Sequence, residues 1–108
     1  KVLNLVSNLE LEALQILKYE LGEKFISHYD GEYQDKKRLY TTIVYLNDDY
    51  EGGQTYFKNI GLTIKPKKGK MIIWKNFKNG EINVDSLHEG LPVISGTKYV
   101  LVNWVLIK

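Results

Sequence analysis

Two histidines and one aspartate are the residues of this chain best suited to binding a metal. His28 and Asp30 stand two positions apart in "FISHYDGEYQ", and the second of the chain's two histidines, His88, stands sixty positions later. Side chains alternate along a β-strand, so a strand over residues 23–30 would place His28 and Asp30 on one face. Two imidazoles and a carboxylate leave coordination positions open and are typical of non-haem Fe(II) sites. Taken alone, the pair is a weak signal, and two unrelated surface residues are the alternative.

A lysine heads an otherwise apolar row near the end of the chain. In "KYVLVNWVLI" the alternating residues Lys98, Val100, Val102 and Trp104 share one strand face. A buried ammonium needs an anion beside it, and the neighbouring sequence offers none. The row therefore predicts a site for an anionic ligand. The alternative is a lysine at a strand end whose amine reaches solvent.

The elements that must position these residues are mostly strands. Residues 40–47, "YTTIVYLN", are rich in β-branched and aromatic residues and predict a strand, whereas residues 11–21 fit both a helix and a strand. Residues 1–8 predict the end of a short amphipathic helix, and "PKKG" at 66–69 predicts a hairpin turn. Seven or so short strands separated by Gly and Pro indicate an antiparallel two-sheet fold, such as a jelly roll, with one helix at the front.

Composition excludes several classes of protein. A chain of 108 residues predicts one domain, and a net charge of +2 with dispersed lysines argues against a nucleic-acid partner. The chain has no cysteine, which excludes disulfides and thiolate metal sites and favours a reducing compartment. The longest apolar run, residues 99–107, is too short for a membrane helix, and no secretory signal is visible. We therefore expect a cytoplasmic protein without membrane contact; its oligomeric state is not set by the sequence.

An ordered set of motifs extends this interpretation over residues 9 to 107. It consists of Y-x-x-G-x-x-F-x-x-H-x-D, R-x-x-T-x-I-x-Y-L-N, G-G-Q-T-x-F, P-x-x-G, H-E-G-x-P-V and G-x-K-x-x-x-x-x-W. Each motif is weak alone, but the ordered set resembles the 2-oxoglutarate and Fe(II)-dependent dioxygenases of the prolyl 4-hydroxylase type. The resemblance implies a mainly β fold, the double-stranded β-helix or jelly roll. It leaves open whether N-terminal elements are missing from a single catalytic domain over residues 1–108.

The resemblance also implies roles for individual residues. Iron would be bound by His28, Asp30 and His88, and 2-oxoglutarate would chelate the metal while Lys98 holds its far carboxylate. These four residues form the implied catalytic set. Tyr19 and Tyr45 match family tyrosines that line the 2-oxoglutarate pocket, and Trp104 matches a residue that forms a wall of the active site. Ordinary core packing is the alternative for each of the three.

Arg38 is the residue that we predict to bind substrate. It is the single arginine beside fourteen lysines and matches a family arginine, which suggests a need for its planar guanidinium. Contact with a peptide backbone and a structural salt bridge both remain open. In this superfamily the collagen-type prolyl 4-hydroxylases carry a lysine at the position of Lys98, so the resemblance is to that branch, including its bacterial and viral members.

The implied activity is the hydroxylation of peptidyl proline to 4-hydroxyproline, with O2 consumed, succinate and CO2 released, and ascorbate as a further cofactor. Two residues depart from the family pattern: Gln54 stands where glutamate is frequent, and Leu106 where peptide hydroxylases commonly carry a basic residue. These departures concern peptide binding rather than iron. The alternatives are a related oxygenase acting on a free amino acid or another small molecule, and a non-catalytic peptide-binding jelly-roll module.

Overall fold

The chain folds as stacked antiparallel sheets. The computed structural model describes residues 9–34 and 36–107, which contain fourteen strands and two 3₁₀ helices, Lys58–Ile60 and Val84–Ser86. The predicted N-terminal helix over residues 1–8 lies outside the described residues. In the part of the chain that is described, no helix has the length and apolar character needed to cross a membrane.

The larger sheet is organised around two long central strands. Among the described residues it contains β1 (Leu9–Leu11), β2 (Gln15–Tyr19), β4 (Glu32–Tyr33), β5 (Lys36–Tyr45), β9 (Met71–Lys75) and β14 (Lys98–Ile107). β14 pairs with β5 on one side and with β1 and β2 on the other, and β9 and β4 pair with β5. Both central strands are rich in β-branched and aromatic residues, which pack well on a pleated surface.

The smaller sheet faces the larger one across the interior. It contains β3 (Phe25–His28), β7 (Thr55–Phe57), β8 (Leu62–Ile64) and β12 (His88–Gly90), in the order β3-β12-β7-β8. Two further antiparallel pairs join β6 (Glu51–Gly52) to β13 (Val93–Ser95) and β10 (Phe77–Lys78) to β11 (Glu81–Ile82). This is the jelly roll that the sequence predicts.

The core lies between the two sheets. Tyr45, Val100 and Val102 form its buried centre, and Ile64 of the smaller sheet packs against them. Val100 lies opposite Tyr45 on β5 and opposite Leu17 on β2. The apolar alternation of β14 is therefore what fills the space between the layers.

Two local predictions are corrected by the structure. Residues 11–21, which fit both a helix and a strand, are extended as the end of β1 and β2. The hairpin predicted at residues 66–69 is wrong, because β8 pairs with β7 in the smaller sheet and β9 pairs with β5 in the larger one. The turn instead binds the end of β5: the amide of Gly69 donates to the carbonyl of Tyr45, and the amide of Tyr45 donates to the carbonyl of Lys70.

The central position of Val100 gives a stability prediction. Val100→Ala should lower the free energy of unfolding by about 2 kcal/mol, because it leaves a void among packed side chains. The same truncation at Val84, which is 60% exposed, should change stability by less than about 0.5 kcal/mol. Urea unfolding of both variants measures the difference, and equal losses would contradict the core assigned here.

Candidate active site

The structure brings the three predicted metal ligands together. His28 ends β3 and His88 begins β12, and these two residues lie opposite each other in the register of the smaller sheet. Nε2 of His28 lies 3.1 Å from Oδ1 of Asp30, and Nε2 of His88 lies 3.5 Å from the same oxygen. One ligand atom from each residue lies within 4.8 Å of the others. Two ligands bound at right angles, each about 2.1 Å from a first-row metal, are about 3 Å apart, so the three residues fit one ion.

Asp30 reaches this position by a different route from the predicted one. Strand β3 ends at His28, so strand alternation does not place Asp30. Its carboxylate is held by two donors from the larger sheet: Thr41 Oγ1 lies 2.5 Å and Trp104 Nε1 lies 3.1 Å from Oδ2. With Oδ2 bound in this way, Oδ1 is the oxygen presented to the histidines.

Both histidines are oriented by backbone carbonyls. Nδ1 of His28 lies 2.7 Å from the carbonyl oxygen of Ile26, and Nδ1 of His88 lies 2.7 Å from that of Ser86. A carbonyl only accepts, so each Nδ1 carries a hydrogen, and in the neutral form of each ring Nε2 then keeps its lone pair. Such contacts fix the tautomer and the ring orientation of metal-binding histidines.

The charges at this cluster favour a cation. Burial opposes ionisation of Asp30, but hydrogen bonds from His28, the charge of His88 and the hydroxyl of Thr41 outweigh it and lower the pKa of Asp30 to about 2. Burial lowers the pKa of His88, whereas at His28 the contact with Asp30 outweighs burial and raises the pKa. The carboxylate is therefore ionised throughout the neutral range and attracts positive charge.

A cavity of about 340 Å³ between the sheets is lined by the three predicted metal ligands and by Lys98. Lys98 is only 4% exposed, and no carboxylate within residues 9–34 and 36–107 forms an ion pair with it. Its Nζ lies 4.7 Å from the centre of the Tyr19 ring, and burial lowers the pKa of Lys98 to about 8. The cavity thus has a site for a cation and a site for an anion.

The two tyrosines predicted to line the cosubstrate pocket are placed differently. Tyr19 lines the cavity beside Lys98. Tyr45 is completely buried and is not among the lining residues; its hydroxyl lies 2.6 Å from Oγ1 of Thr55, which does line the cavity. Any contact of Tyr45 with a ligand in this cavity would therefore pass through Thr55.

Arg38 is bound within the structure. Its guanidinium makes a two-pronged contact with Glu12, at 2.6 and 3.0 Å, and donates to the carbonyl of Asp30 at 3.2 Å. It also stacks 4.0 Å from the centre of the Trp104 ring. Of the two alternatives, the salt bridge is present; Arg38 also lines the cavity, so its contact with substrate stays a prediction.

Two residues of the site were not identified from the sequence. Thr41 binds Asp30, and Thr55 lines the cavity between the metal ligands and Lys98. A signal existed for Thr41, because it alternates with Ile43 and Tyr45 on an inward face, where a hydroxyl needs a partner. The G-G-Q-T-x-F motif contains Thr55 but does not by itself indicate what the hydroxyl contacts.

A jelly roll that holds two histidines and one carboxylate around an open position defines the class of mononuclear non-haem metal oxygenases. The particular family follows from the comparison of sequences. The chain belongs to the 2OG-Fe(II) oxygenase superfamily, whose sequence model matches residues 14–106.

Several individual proteins are similar to this chain. A probable prolyl 4-hydroxylase of Arabidopsis thaliana is 38% identical over 116 aligned positions, which cover 87% of this chain and 40% of the plant protein. The crystal structure of the viral collagen prolyl hydroxylase of Paramecium bursaria Chlorella virus-1, in complex with 2OG, is 32% identical, with a TM-score of 0.85 over 99% of this chain and 67% of the viral one. A prolyl-4-hydroxylase of Pseudomonas putida is 25% identical, with a TM-score of 0.72 over 96% of this chain and 57% of the bacterial one. The chain therefore spans about two-fifths of the length of the plant relative.

Metal binding by the cluster predicts a linked gain in stability. Mn(II) at one hundred times its dissociation constant should stabilise the folded chain by about 2.7 kcal/mol, because the unfolded chain lacks the assembled ligands. His88→Ala should abolish most of this gain. The neighbouring variant Glu89→Gln, on the same strand but outside the cluster, should retain it. Thermal unfolding with and without Mn(II) tests the assignment, and an unchanged gain in His88→Ala would contradict it.

Proposed function

We propose that this chain is the catalytic domain of a 2-oxoglutarate- and Fe(II)-dependent dioxygenase that hydroxylates peptidyl proline to 4-hydroxyproline. The single observation that carries the proposal is that one cavity holds the triad and a buried lysine that has no ion-pair partner in the described part of the chain. Relatives named as prolyl 4-hydroxylases, one of them a viral collagen prolyl hydroxylase, support the choice of substrate.

The cavity suits a dicarboxylate. One carboxylate of 2-oxoglutarate would neutralise Lys98, whose burial is otherwise unfavourable by several kcal/mol. Thr55 lines the same cavity and adds a hydroxyl: if Tyr45 donates to Thr55, the hydrogen of Thr55 is left to bind a carboxylate of the ligand. The other end of the ligand would then lie toward His28, Asp30 and His88.

Bound iron would supply the activation of O2, with 2-oxoglutarate as the source of two electrons and succinate, CO2 and a hydroxylated product as the outcome. The residues of the chain do the positioning. Thr41 and Trp104 bind Oδ2 of Asp30, which would leave Oδ1 for the ion, while the carbonyls of Ile26 and Ser86 hold the imidazole rings. The apolar rows on β5 and β14 exclude water from the space between the ligands and Lys98. Ascorbate would keep the iron reduced.

The substrate would enter on the side of His28, which is the more exposed of the two histidines. Phe25 stacks against the His28 ring, with ring centres 4.2 Å apart, and lines the cavity together with Tyr29 and Arg38. These groups offer aromatic surface and a guanidinium, which suit a proline ring and a peptide carbonyl. Arg38 is kept as the proposed substrate-binding residue.

One observation favours a second candidate function, an oxygenase that acts on a free amino acid or another small molecule. Leu106 stands where peptide hydroxylases commonly carry a basic residue, and here its side chain is 3% exposed. It contributes to packing rather than to a basic peptide-binding surface. A cytoplasmic location, inferred from composition, also remains a proposal.

The buried lysine makes the affinity for 2-oxoglutarate depend on pH. The dianion needs protonated Lys98, which is present below its pKa of about 8 and lost above it. Between pH 7 and pH 9 the dissociation constant of 2-oxoglutarate, measured by calorimetry on the Mn(II)-loaded chain, should rise about tenfold. Lys98→Arg should remove this pH dependence because a guanidinium stays protonated. Lys98→Ala should weaken the binding of 2-oxoglutarate at every pH. An unchanged affinity in that variant would contradict the assignment of Lys98 as the residue that binds its carboxylate.

Turnover tests the activity itself. With Fe(II), ascorbate and 2-oxoglutarate, a proline-rich peptide should stimulate the release of succinate, and His88→Ala should abolish it. Slow succinate release that the peptide does not change, but free proline or another small molecule does, would favour the second candidate function. Peptide binding without succinate, despite bound iron, would instead indicate the non-catalytic module.

A further inference from the structure

Asn76 is a buried polar residue outside the cavity whose hydrogen bonds lead to the metal ligands. It follows β9, is 1% exposed and does not line the cavity. Its backbone amide donates to the carbonyl of Leu39 at 2.9 Å, and its carbonyl accepts from the amide of Asn83 at 3.0 Å. The peptide groups on both sides of the side chain are therefore fixed.

The side chain of Asn76 has one permitted orientation. The indole of Trp74 can only donate, and its Nε1 lies 2.8 Å from Oδ1 of Asn76. Nδ2 of Asn76 must then be the atom that donates to Oγ1 of Thr41, at 2.7 Å. The Thr41 hydroxyl accepts this bond, and it donates its hydrogen to Oδ2 of Asp30, because an ionised carboxylate can only accept. Every bond of this chain, from Trp74 to Asp30, runs in one direction.

The same residue also supports the other end of the metal cluster. Asn83, held by the carbonyl of Asn76, caps the 3₁₀ helix Val84–Ser86. The carbonyl of Ser86 then orients the His88 ring. The indole of Trp74 packs on the opposite side of the network, with its ring centre 4.6 Å from that of His88. Asn76 thus stands at the junction of the contacts that fix Asp30 and His88.

We propose that Asn76 is a positioning residue for the metal site, which acts through the Thr41 hydroxyl to reserve Oδ1 of Asp30 for the ion. Without this donor, the Thr41 side chain loses one of the two hydrogen bonds that fix it, and its hold on Oδ2 of Asp30 is loosened. Both oxygens of Asp30 then become available to the metal, and the coordination changes. The inference rests on the metal site proposed above.

Co(II) titration of the chain, without 2-oxoglutarate, tests this role. Asn76→Ala should raise the dissociation constant of Co(II) about tenfold, the usual size of an effect from a group that orients a ligand. In the Thr41→Val background the same substitution should change it by less than about twofold, because the hydroxyl through which Asn76 acts is already gone. Additive losses in the two backgrounds would overturn the proposal.

The visible spectrum of bound Co(II) gives a second readout that a loss of stability does not move. Asn76→Asp is nearly isosteric and still accepts from Trp74, but its carboxylate, measured at a pH where it is ionised, cannot donate to Thr41. It should therefore give the same spectral change as Thr41→Val, which tests the proposal even if Asn76→Ala does not fold. A wild-type spectrum in Asn76→Asp, beside an altered one in Thr41→Val, would overturn it.

Asn47 provides a matched control. Its side chain makes three hydrogen bonds, with Asp49, Thr97 and Tyr99, where that of Asn76 makes two, but none of the three joins it to the metal cluster within the described residues. Asn47→Ala should cost stability while leaving the dissociation constant of Co(II) within about twofold of the wild-type value. If Asn47→Ala weakened Co(II) as much as Asn76→Ala, the effect would be general loosening. Failure of the wild-type chain to bind Co(II) would overturn the metal site and this inference together.

Discussion

The rest of the site depends on one constraint, which is that the two carboxylate oxygens of Asp30 have different partners. A buried carboxylate is unfavourable unless each oxygen has partners. Oδ2 obtains them from Thr41 and Trp104 on the larger sheet, and Oδ1 faces the two imidazoles on the smaller sheet. One carboxyl group therefore joins the two layers, and a divalent ion at Oδ1 would strengthen that junction.

The sequence predicted which three side chains come together, but not the contacts that place them. His28, Asp30 and His88 were identified by residue type and by the ordered motifs, because those depend on chemistry that the letters carry. The buried position of Lys98 followed from the apolar alternation of its strand, which the structure reproduces. By contrast, β3 is shorter than predicted, and the contacts that position Asp30 come from residues 11 and 74 positions away. Partners at such separations are set by strand pairing across the sheet, which spacing along the chain does not reveal.

A register shift in the central pair shows why part of the site could not be predicted. Val105 pairs with Tyr40 and Leu106 pairs with Arg38, so one residue of β5, Leu39, has no opposite partner. Strict alternation would place Arg38 and Thr41 on opposite faces, yet both line the cavity. The bulge resolves this conflict, and the carbonyl of Leu39 accepts the amide of Asn76. A bulge leaves no mark in a pattern of apolar and polar residues.

The charges of the cavity explain why an ion and a dicarboxylate suit it together. Asp30 is negative, Lys98 is positive, and the guanidinium of Arg38 is already matched by Glu12. A divalent cation alone or a dicarboxylate alone would leave a net charge in the cavity, where low polarity makes uncompensated charge costly. A divalent cation at the triad and a dianion at Lys98 add no net charge, and each lies beside the side chain of opposite sign. In the free chain, burial alone lowers the pKa of Lys98, because no anion among the described residues stabilises its ammonium form.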